Sequence, residues 1–139
     1  MARDTLAAAI LLLKADVEVA LLVNTRVFGE ELPPEEAADM PRAAVLLRTS
    51  SNAAGIGGYS RLEVNGIDAY CFGETPAQAE EVRRAVHEAF KQARRAVVEE
   101  TLLHSFDQIG SPRADRDPDT QWPYSLSSWR MLASERQAT

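Results

Sequence analysis

Cysteine and histidine, the residues from which metal centres and nucleophilic active sites are most often built, are scarce in this chain. There are one cysteine and two histidines among 139 residues. A lone cysteine excludes an internal disulfide and a zinc site made of several thiolates, and it fits folding in a reducing compartment. We expect Cys71 to be a small core residue, because no neighbouring cation or histidine is evident that would lower its pKa.

Positive charge is also in short supply. Fifteen Lys and Arg accompany 21 Asp and Glu, which gives a formal net charge of -6. Wrapping of nucleic acid requires clustered cations that displace counterions from phosphates, so the net charge argues against this class of function. The excess of acid lies in residues 1–40, where three cations accompany eight carboxylates, and the remaining chain is nearly neutral.

The chain has no long hydrophobic run that is free of charge. The apolar stretch from Leu6 to Val23 carries Lys14, Asp16 and Glu18 in its middle, and the insertion cost of these charges argues against a membrane span. The same stretch lacks the ordered basic, apolar and small-residue regions of a signal peptide. We therefore expect a soluble, partly buried helix in a protein that is made in the cytoplasm.

Apolar residues at helical spacing predict an N-terminal helix that begins near Asp4 or Thr5. The sequence leaves open whether this helix continues to Val23 or ends where Asp16 caps a second, short helix. The following residues 24–41 contain one glycine and three prolines. An irregular acidic connection is expected there.

Short runs of apolar and alternating residues predict the first strands. Residues 43–49 form one strand, and residues 60–64 and 67–72 flank Asn65-Gly66, a dipeptide that favours a type I′ turn and hence a hairpin. The Ser, Ala and Gly content of residues 50–58 predicts a contact loop that a partner would order.

The long central helix has the clearest start. Thr75 can cap it, Pro76 suits its first position, and Gln78 completes a Thr-x-x-Gln capping box. Beta-favouring residues then predict a strand over 97–108, a long turn, and a last strand over 124–133.

This order of elements predicts a single α+β domain over residues 1–139, with a short polar end at 134–139. We expect a mainly antiparallel sheet of about four or five strands. The N-terminal helix and the long central helix are expected to pack on one face of that sheet.

Three aspartates have the spacing that begins an EF-hand calcium loop: Asp115, Asp117 and Asp119. The sixth position of such a loop requires Gly and holds Thr120, and the twelfth requires Glu and holds Leu126, so we expect no metal here. The Asp-Pro-Asp sequence instead suits a tight turn, in which Pro118 holds the second position and Asp119 bonds to nearby backbone.

No catalytic constellation is predicted. His104, Ser105 and Asp107 can be named as a triad, but adjacent strand residues point to opposite faces, and a Gly-x-Ser-x-Gly elbow is absent. His87 lies among cationic residues on a helix face that we expect to be solvated. The glycines of residues 55–58 lack the Gly-Lys-Ser/Thr of a phosphate loop, and we expect no cofactor.

The stretch from Arg116 to Tyr124 joins a polar turn, two prolines and two aromatics to the last strand. Trp122 and Trp129 could both be core residues, yet Trp and Tyr are enriched at protein interfaces, where they bury a large area and keep a polar group. We predict a candidate interface made of six residues: Arg116, Asp117, Asp119, Trp122, Tyr124 and Trp129.

Three segments occur in a recognisable order: a leading helix that runs into Asn24-Thr25-Arg26-Val27-Phe28, residues 70–75 before the central helix, and residues 116–123 before the last strand. In this order they resemble the tail terminator, or tail completion, proteins of long-tailed bacteriophages. The resemblance spans most of the chain. It departs at Gln121, where Gly or another small or polar residue is expected.

The resemblance implies a non-enzymatic virion protein of the tail and neck, assembled in the host cytoplasm. Such a protein forms a ring, usually hexameric, that ends polymerisation of the tail tube and joins the tail to the head. The implied partners are further copies of the chain, the tail tube protein and the head connector or stopper protein, without a membrane. Genomic DNA only passes through the lumen, and carboxylates of residues 1–40 facing it would prevent DNA from sticking.

Two alternatives stay open. A head-closure or connector-adaptor neck protein would share the size and the partners but attach on the portal side. A small hydrolase or transferase that uses His104 or Asp107 belongs to a different class of protein. It would require a pocket in which those side chains converge with a nucleophile.

Overall fold

A computed structural model describes residues 5–50 and 63–135, which form four helices and six strands. The helices are α1 (Thr5–Ala15), α2 (Val17–Val23), α3 (Pro34–Ala37) and α4 (Pro76–Gln92). The strands are β1 (Val27–Gly29), β2 (Ala44–Ser50), β3 (Glu63–Phe72), β4 (Ala96–Val98), β5 (Thr101–Arg116) and β6 (Pro123–Glu135). They form one sheet in the order β1-β2-β3-β6-β5-β4.

The α+β class and the mainly antiparallel sheet are confirmed. β1 runs parallel to β2, and the other neighbouring strands are antiparallel. The sheet has six strands in the described ranges, more than the four or five expected, because β1 and β4 add a short strand at each edge. Each has three residues, too few to show a periodic pattern in the sequence.

Asp16 decides the question that the sequence left open for the N-terminal segment. Its Oδ1 accepts a hydrogen bond from the backbone N–H of Val19 at 3.0 Å, which caps α2. Asp16 itself has an extended backbone, with φ -77° and ψ 127°, so one helix cannot run through it. Two helices result, and no helix in the described part of the chain has the length and apolarity needed to cross a bilayer.

The predicted start of α4 is confirmed. The Thr75 hydroxyl accepts the backbone N–H of Gln78 at 3.1 Å, and Pro76 holds the first position. The Gln78 side-chain oxygen accepts the N–H of Glu74 at 2.7 Å, one residue before the amide that a capping box uses. Two backbone amides at this end of the helix are thereby satisfied by side chains.

The core lies between the helices and one face of the sheet. Odd-numbered positions of β3 from residue 67 to 71 and of β6 from residue 123 to 133 are buried, whereas most even-numbered positions there are only half-buried or exposed. Trp129 of β6 is fully buried, and its ring centroid is 5.2 Å from that of Phe90 in α4. Phe90 also stacks on Phe106 of β5 at 4.2 Å, so one helix side chain packs against two strands.

The predicted hairpin at Asn65-Gly66 is wrong. Both residues lie inside β3, where Asn65 pairs with Met131 and Gly66 pairs with Arg130 and Ser50. A strand with neighbours on both sides satisfies its backbone groups along its length, and this non-local pairing outweighs the local turn preference. Residues 60–62 of the predicted hairpin and 51–58 of the predicted contact loop lie outside the described residues.

Residues 24–41 are less irregular than expected, because β1 and α3 lie within them. Nε of Arg26 donates to the carbonyl of Ala43 at 2.8 Å and ties the connection to the chain just before β2. Beyond β1, the Glu30 carboxylate accepts the Thr49 hydroxyl at 3.0 Å. A side-chain contact therefore continues the link to β2 beyond the end of the short strand β1.

The region expected to be one strand over 97–108 is a hairpin of β4 and β5. Glu99 and Glu100 form its turn, and Glu99 has a φ of 54°. β5 then continues to Arg116, so the long turn expected after residue 108 is wrong. Residues 110–112 bulge from β5, where three residues face a single residue of β6.

We expect Val86→Ala to lower the free energy of unfolding by about 2–3 kcal/mol, because it deletes buried methyl groups and leaves a cavity. Val86 in α4 is fully buried, whereas Val17 in α2 is 71% exposed. Val17→Ala, the same chemical change on another helix, should alter the free energy by less than about 0.5 kcal/mol. Urea unfolding followed by circular dichroism measures both, and equal effects would contradict this core.

Candidate functional site

The predicted interface residues of 116–124 lie at the end of the β5–β6 hairpin. Residues 110–116 on its β5 side are exposed, whereas β6 is paired with β3 as well as with β5. The segment 117–122 that joins the strands, here called the hairpin turn, is therefore attached to a strand in the middle of the sheet.

Asp117 organises the hairpin turn. Its Oδ1 accepts the backbone N–H of Asp119 at 2.8 Å and that of Thr120 at 2.9 Å. Its own N–H donates to the carbonyl of Trp122 at 3.0 Å, and its carbonyl accepts the N–H of Gln121 at 2.8 Å. The carboxylate of Asp117, the first residue of the predicted turn, thus makes the local backbone bonds that were expected of Asp119.

Gln121 occupies a backbone position that suits glycine, which is one of the residues expected there from the sequence. Its φ of 64° lies in the left-handed region that glycine adopts most easily. The carbonyl of Gln121 accepts a hydrogen bond from Nη1 of Arg116 at 3.0 Å, and its side-chain Nε2 donates to the carbonyl of Pro118 at 3.4 Å. These hydrogen bonds stabilise Gln121 in a backbone conformation that is unfavourable for a residue other than glycine.

Four aromatic side chains meet beside the hairpin turn: Tyr70, Phe72, Trp122 and Tyr124. We call them the aromatic cluster. Phe72 lies edge-on to Trp122 and Tyr124, with ring centroids 6.1 Å apart in both pairs, and Tyr70 contacts Tyr124 at 5.6 Å. Trp122, Tyr124 and Tyr70 are only half-buried, so the cluster presents aromatic surface outside the helix-covered core.

The sequence predicted half of this cluster and missed Tyr70 and Phe72. Both flank Cys71, and since side chains alternate along a strand, burial of the cysteine places both rings on the other face. The alternation around Cys71 can be read from the sequence. It predicts the aromatic cluster only together with the register that sets Phe72 opposite Tyr124, and no local pattern specifies that pairing.

A polar bridge ties α4 to the base of the hairpin. The Glu80 carboxylate accepts Nε of Arg83 at 2.9 Å and the hydroxyl of Ser125 at 3.2 Å. The hydrogen bond from Arg83 is the main cause that holds the pKa of Glu80 below its usual range, and the same bond raises the pKa of Arg83. Ser125 follows Tyr124, so this bridge fixes the strand next to the aromatic cluster.

Trp129, the sixth predicted interface residue, is a core residue in this chain. It is fully buried under α4, and its indole N–H donates to the hydroxyl of Ser127 at 2.9 Å. A side chain with no exposed surface cannot contact a partner while the fold is intact. The candidate interface therefore keeps the five residues of the turn and its flanks.

The residues considered for catalysis, His104, Asp107 and His87, each have different neighbours. Nε2 of His104 lies 2.8 Å from the hydroxyl of Ser134, while Asp107 is exposed and in register with Arg130. His87 is half-buried against Trp129, with ring centroids 5.3 Å apart, and does not lie on a fully solvated face as expected. Across residues 5–50 and 63–135, no three His, Cys, Asp or Glu side chains group as metal ligands.

The fold is similar to chains in solved structures, of which two are described here. One is a chain in the virion of the native gene transfer agent (GTA) particle, with a TM-score of 0.70, 19% identity and 92% of each chain covered. The other is the bacteriophage SPP1 gp17 protein, with a TM-score of 0.53 and 17% identity over 96% of this chain and 91% of that one. At these identities the likeness shows a shared fold. Neither a protein-family model nor a curated protein matches the sequence.

We expect the Cys71 thiol to be unreactive at pH 8 in the folded protein. Burial raises its pKa to about 12, so the thiolate is almost absent and the sulfur is shielded from reagents. Labelling with a maleimide should be complete in denaturant and minimal without it. Rapid labelling of the native chain would show that this part of the sheet opens.

We expect the Asp117 carboxyl to titrate at a lower pH in the folded chain than in an unfolded peptide of residues 115–123. The backbone N–H groups of Thr120 and Asp119 favour the carboxylate and lower its pKa. The stability that these bonds provide is present above the ordinary pKa of an Asp and is lost as the pH falls through the lowered value. Carbon NMR titration measures both midpoints, and equal midpoints would contradict the described turn.

Proposed function

We propose that this chain is a structural virion protein that forms a ring at the head-proximal end of a phage tail tube. The ring ends tube polymerisation and joins the tail to the head connector. The observation that supports this most is the shared fold with a chain of a virion particle, which extends over 92% of both chains. The same fold in a bacteriophage protein adds to this support.

The exposed surfaces of the subunit suit this role. The helices cover one face of the sheet, while the hairpin turn and the half-buried rings of the aromatic cluster remain available to a partner. Contacts between copies in a ring are heterologous, so a ring subunit needs two different surfaces for its neighbours and further surface for the tube and the connector. We assign the hairpin turn to contact with the tube or the connector.

Trp122 is the residue on which we expect this contact to depend. Tryptophan is enriched among the few interface residues that carry most of a binding energy. The Asp117 carboxylate and the Phe72 ring already hold the turn and the indole in place, so little conformational freedom is lost on binding. Asp119 on the turn and Arg116 at the end of β5 beside it supply charge.

The acidic N-terminal part contributes to the proposal through its exposed carboxylates. Glu36 is engaged with Arg42 at 2.6 Å and Glu30 with Thr49, whereas Glu31 and Glu35 are exposed. Carboxylates of this kind repel DNA if they face the lumen of a ring. A ring structure in which they lie on the outer wall would exclude this part of the proposal.

The proposed function requires no catalysis. Binding surfaces and symmetry are sufficient to end a tube and join it to a connector. The arrangement of His104 and Asp107 gives no reason to prefer a hydrolase or a transferase, because each side chain has a different neighbourhood.

The proposal is tested by the mass of the chain in solution, negative-stain imaging, and binding to the cognate tail-tube and portal-side proteins. We expect closed rings, alone or on tube ends, and tubes whose growth stops when the chain is added. Binding to the portal side without binding to tubes would favour a head-closure or adaptor protein instead. Absence of binding to both would reject a neck function.

We expect Trp122→Ala to weaken tube or connector binding at least about tenfold while leaving the fold intact. The variant removes the half-buried indole and its contact with Phe72, but it leaves the core of Trp129 and Phe90 unchanged. Trp122→Phe is the matched control, because it keeps an aromatic ring and should retain most of the affinity. Equal binding by the wild type and the alanine variant would remove the hairpin turn from the interface.

A further inference from the structure

A groove between α2 and α4 combines exposed apolar surface with negative charge. It has a volume of about 410 Å³, and six of the residues that line it are Glu18, Leu21, Leu22, Glu81, Ala85 and Glu88. The half-buried Leu22 and Ala85 form its floor, and Leu21 stands at its side with 75% of its surface exposed. We call this feature the acidic groove.

The three carboxylates of the acidic groove are not neutralised within the described residues. Glu18, Glu81 and Glu88 are exposed and have no ion pair in residues 5–50 or 63–135. The one cation of the lining, Arg84, lies 3.8 Å from Glu80. An occupant of the groove must therefore bring positive charge as well as apolar surface, because a neutral apolar segment would leave these charges partly desolvated and unpaired.

A segment with the complementary properties lies elsewhere on the same chain. Arg94 and Arg95 follow α4, and Val97 lies in β4, where it is 49% exposed. Neither guanidinium has an ion-pair partner among the described residues. We call these three residues the basic edge, because β4 lies at the edge of the sheet and, among the described strands, pairs with β5 alone.

We propose that the basic edge of one copy docks in the acidic groove of the next copy. Val97 packs against Leu21, and Arg94 and Arg95 face the carboxylates of the groove. The surfaces belong to different elements, so each copy offers one of them to each neighbour. A contact of this heterologous type generates a ring when the rotation between copies closes. The inference rests on the proposed ring, and it names the surfaces that join its subunits.

Cross-linking between introduced cysteines tests the contact directly. In the double variant Leu21→Cys/Val97→Cys, a bis-maleimide should join copies head to tail and produce a ladder of covalent multimers. Each single variant can form dimers at most, because every copy then has one reactive thiol. The buried Cys71, with a pKa of about 12, stays silent in the folded protein.

The matched control places the first cysteine outside the groove. Leu11 lies in α1 and is 39% exposed, so Leu11→Cys/Val97→Cys has the same number of accessible thiols. A ladder as strong in this control as in the test variant would overturn the proposal. Cross-links from position 21 to the tail-tube protein, in place of another copy, would also overturn it.

Charge reversal provides an independent test. We expect Glu18→Lys/Glu88→Lys and Arg94→Glu/Arg95→Glu each to raise the dissociation constant between copies at least about tenfold, because like charges then face each other. In a mixture, the unchanged edge of the first variant matches the unchanged groove of the second, and the two reversed surfaces match each other. The mixture should therefore form alternating assemblies that neither variant forms alone. Sedimentation velocity measures all three samples.

The outcomes separate this contact from the proposed function. If the wild type forms rings and neither reversal weakens them, the contact is rejected and the tail function stands. If the wild type binds tubes as a monomer and the Leu21→Cys/Val97→Cys variant gives no ladder, the contact is likewise rejected. If it neither associates nor binds tubes, both proposals fail.

Discussion

Trp129 occupies the middle of β6, and β6 is the strand that joins the two halves of the sheet. Its ring contacts Phe90 and His87 of α4, and Phe90 in turn stacks on Phe106 of β5. The helix is thus fixed over β6 and its neighbour by a few large side chains, and close packing leaves little room for it to shift. The positions of the acidic groove and of the hairpin base both follow from where α4 lies.

The polar bridge at the other end of α4 complements this apolar contact. Glu80 links Arg83 on its own helix to Ser125 on β6, which leads out of the hairpin turn. A hydrogen-bonded carboxylate specifies orientation more narrowly than apolar packing does, because its partners must lie in particular directions. The turn is therefore presented on a fixed support although most of its own residues are exposed.

The sequence predicted those parts of the structure that local chemistry decides. The Thr75 cap, the possible break at Asp16 and the turn at Asp117 each depend on side chains within a few residues of the backbone groups that they bond. Asn65-Gly66 shows the limit of such reasoning, because pairing with β2 and β6 overrides its turn preference. The aromatic cluster and the acidic groove depend on strand register and on helix packing, which no short segment encodes.

The bulge at residues 110–112 divides β5 into a part that packs in the core and a part that is exposed and can accept changes in sequence and length. Before it, Phe106 is committed to the core, whereas from Gly110 to Arg116 the strand is exposed. A bulge bends its strand and increases the local twist, and Gly110, with a φ of 70°, has open space where a side chain would be. Insertions or deletions beyond this point can alter the reach and the angle of the hairpin without disturbing the core. The length of the hairpin can thus vary while the buried body of the sheet stays the same.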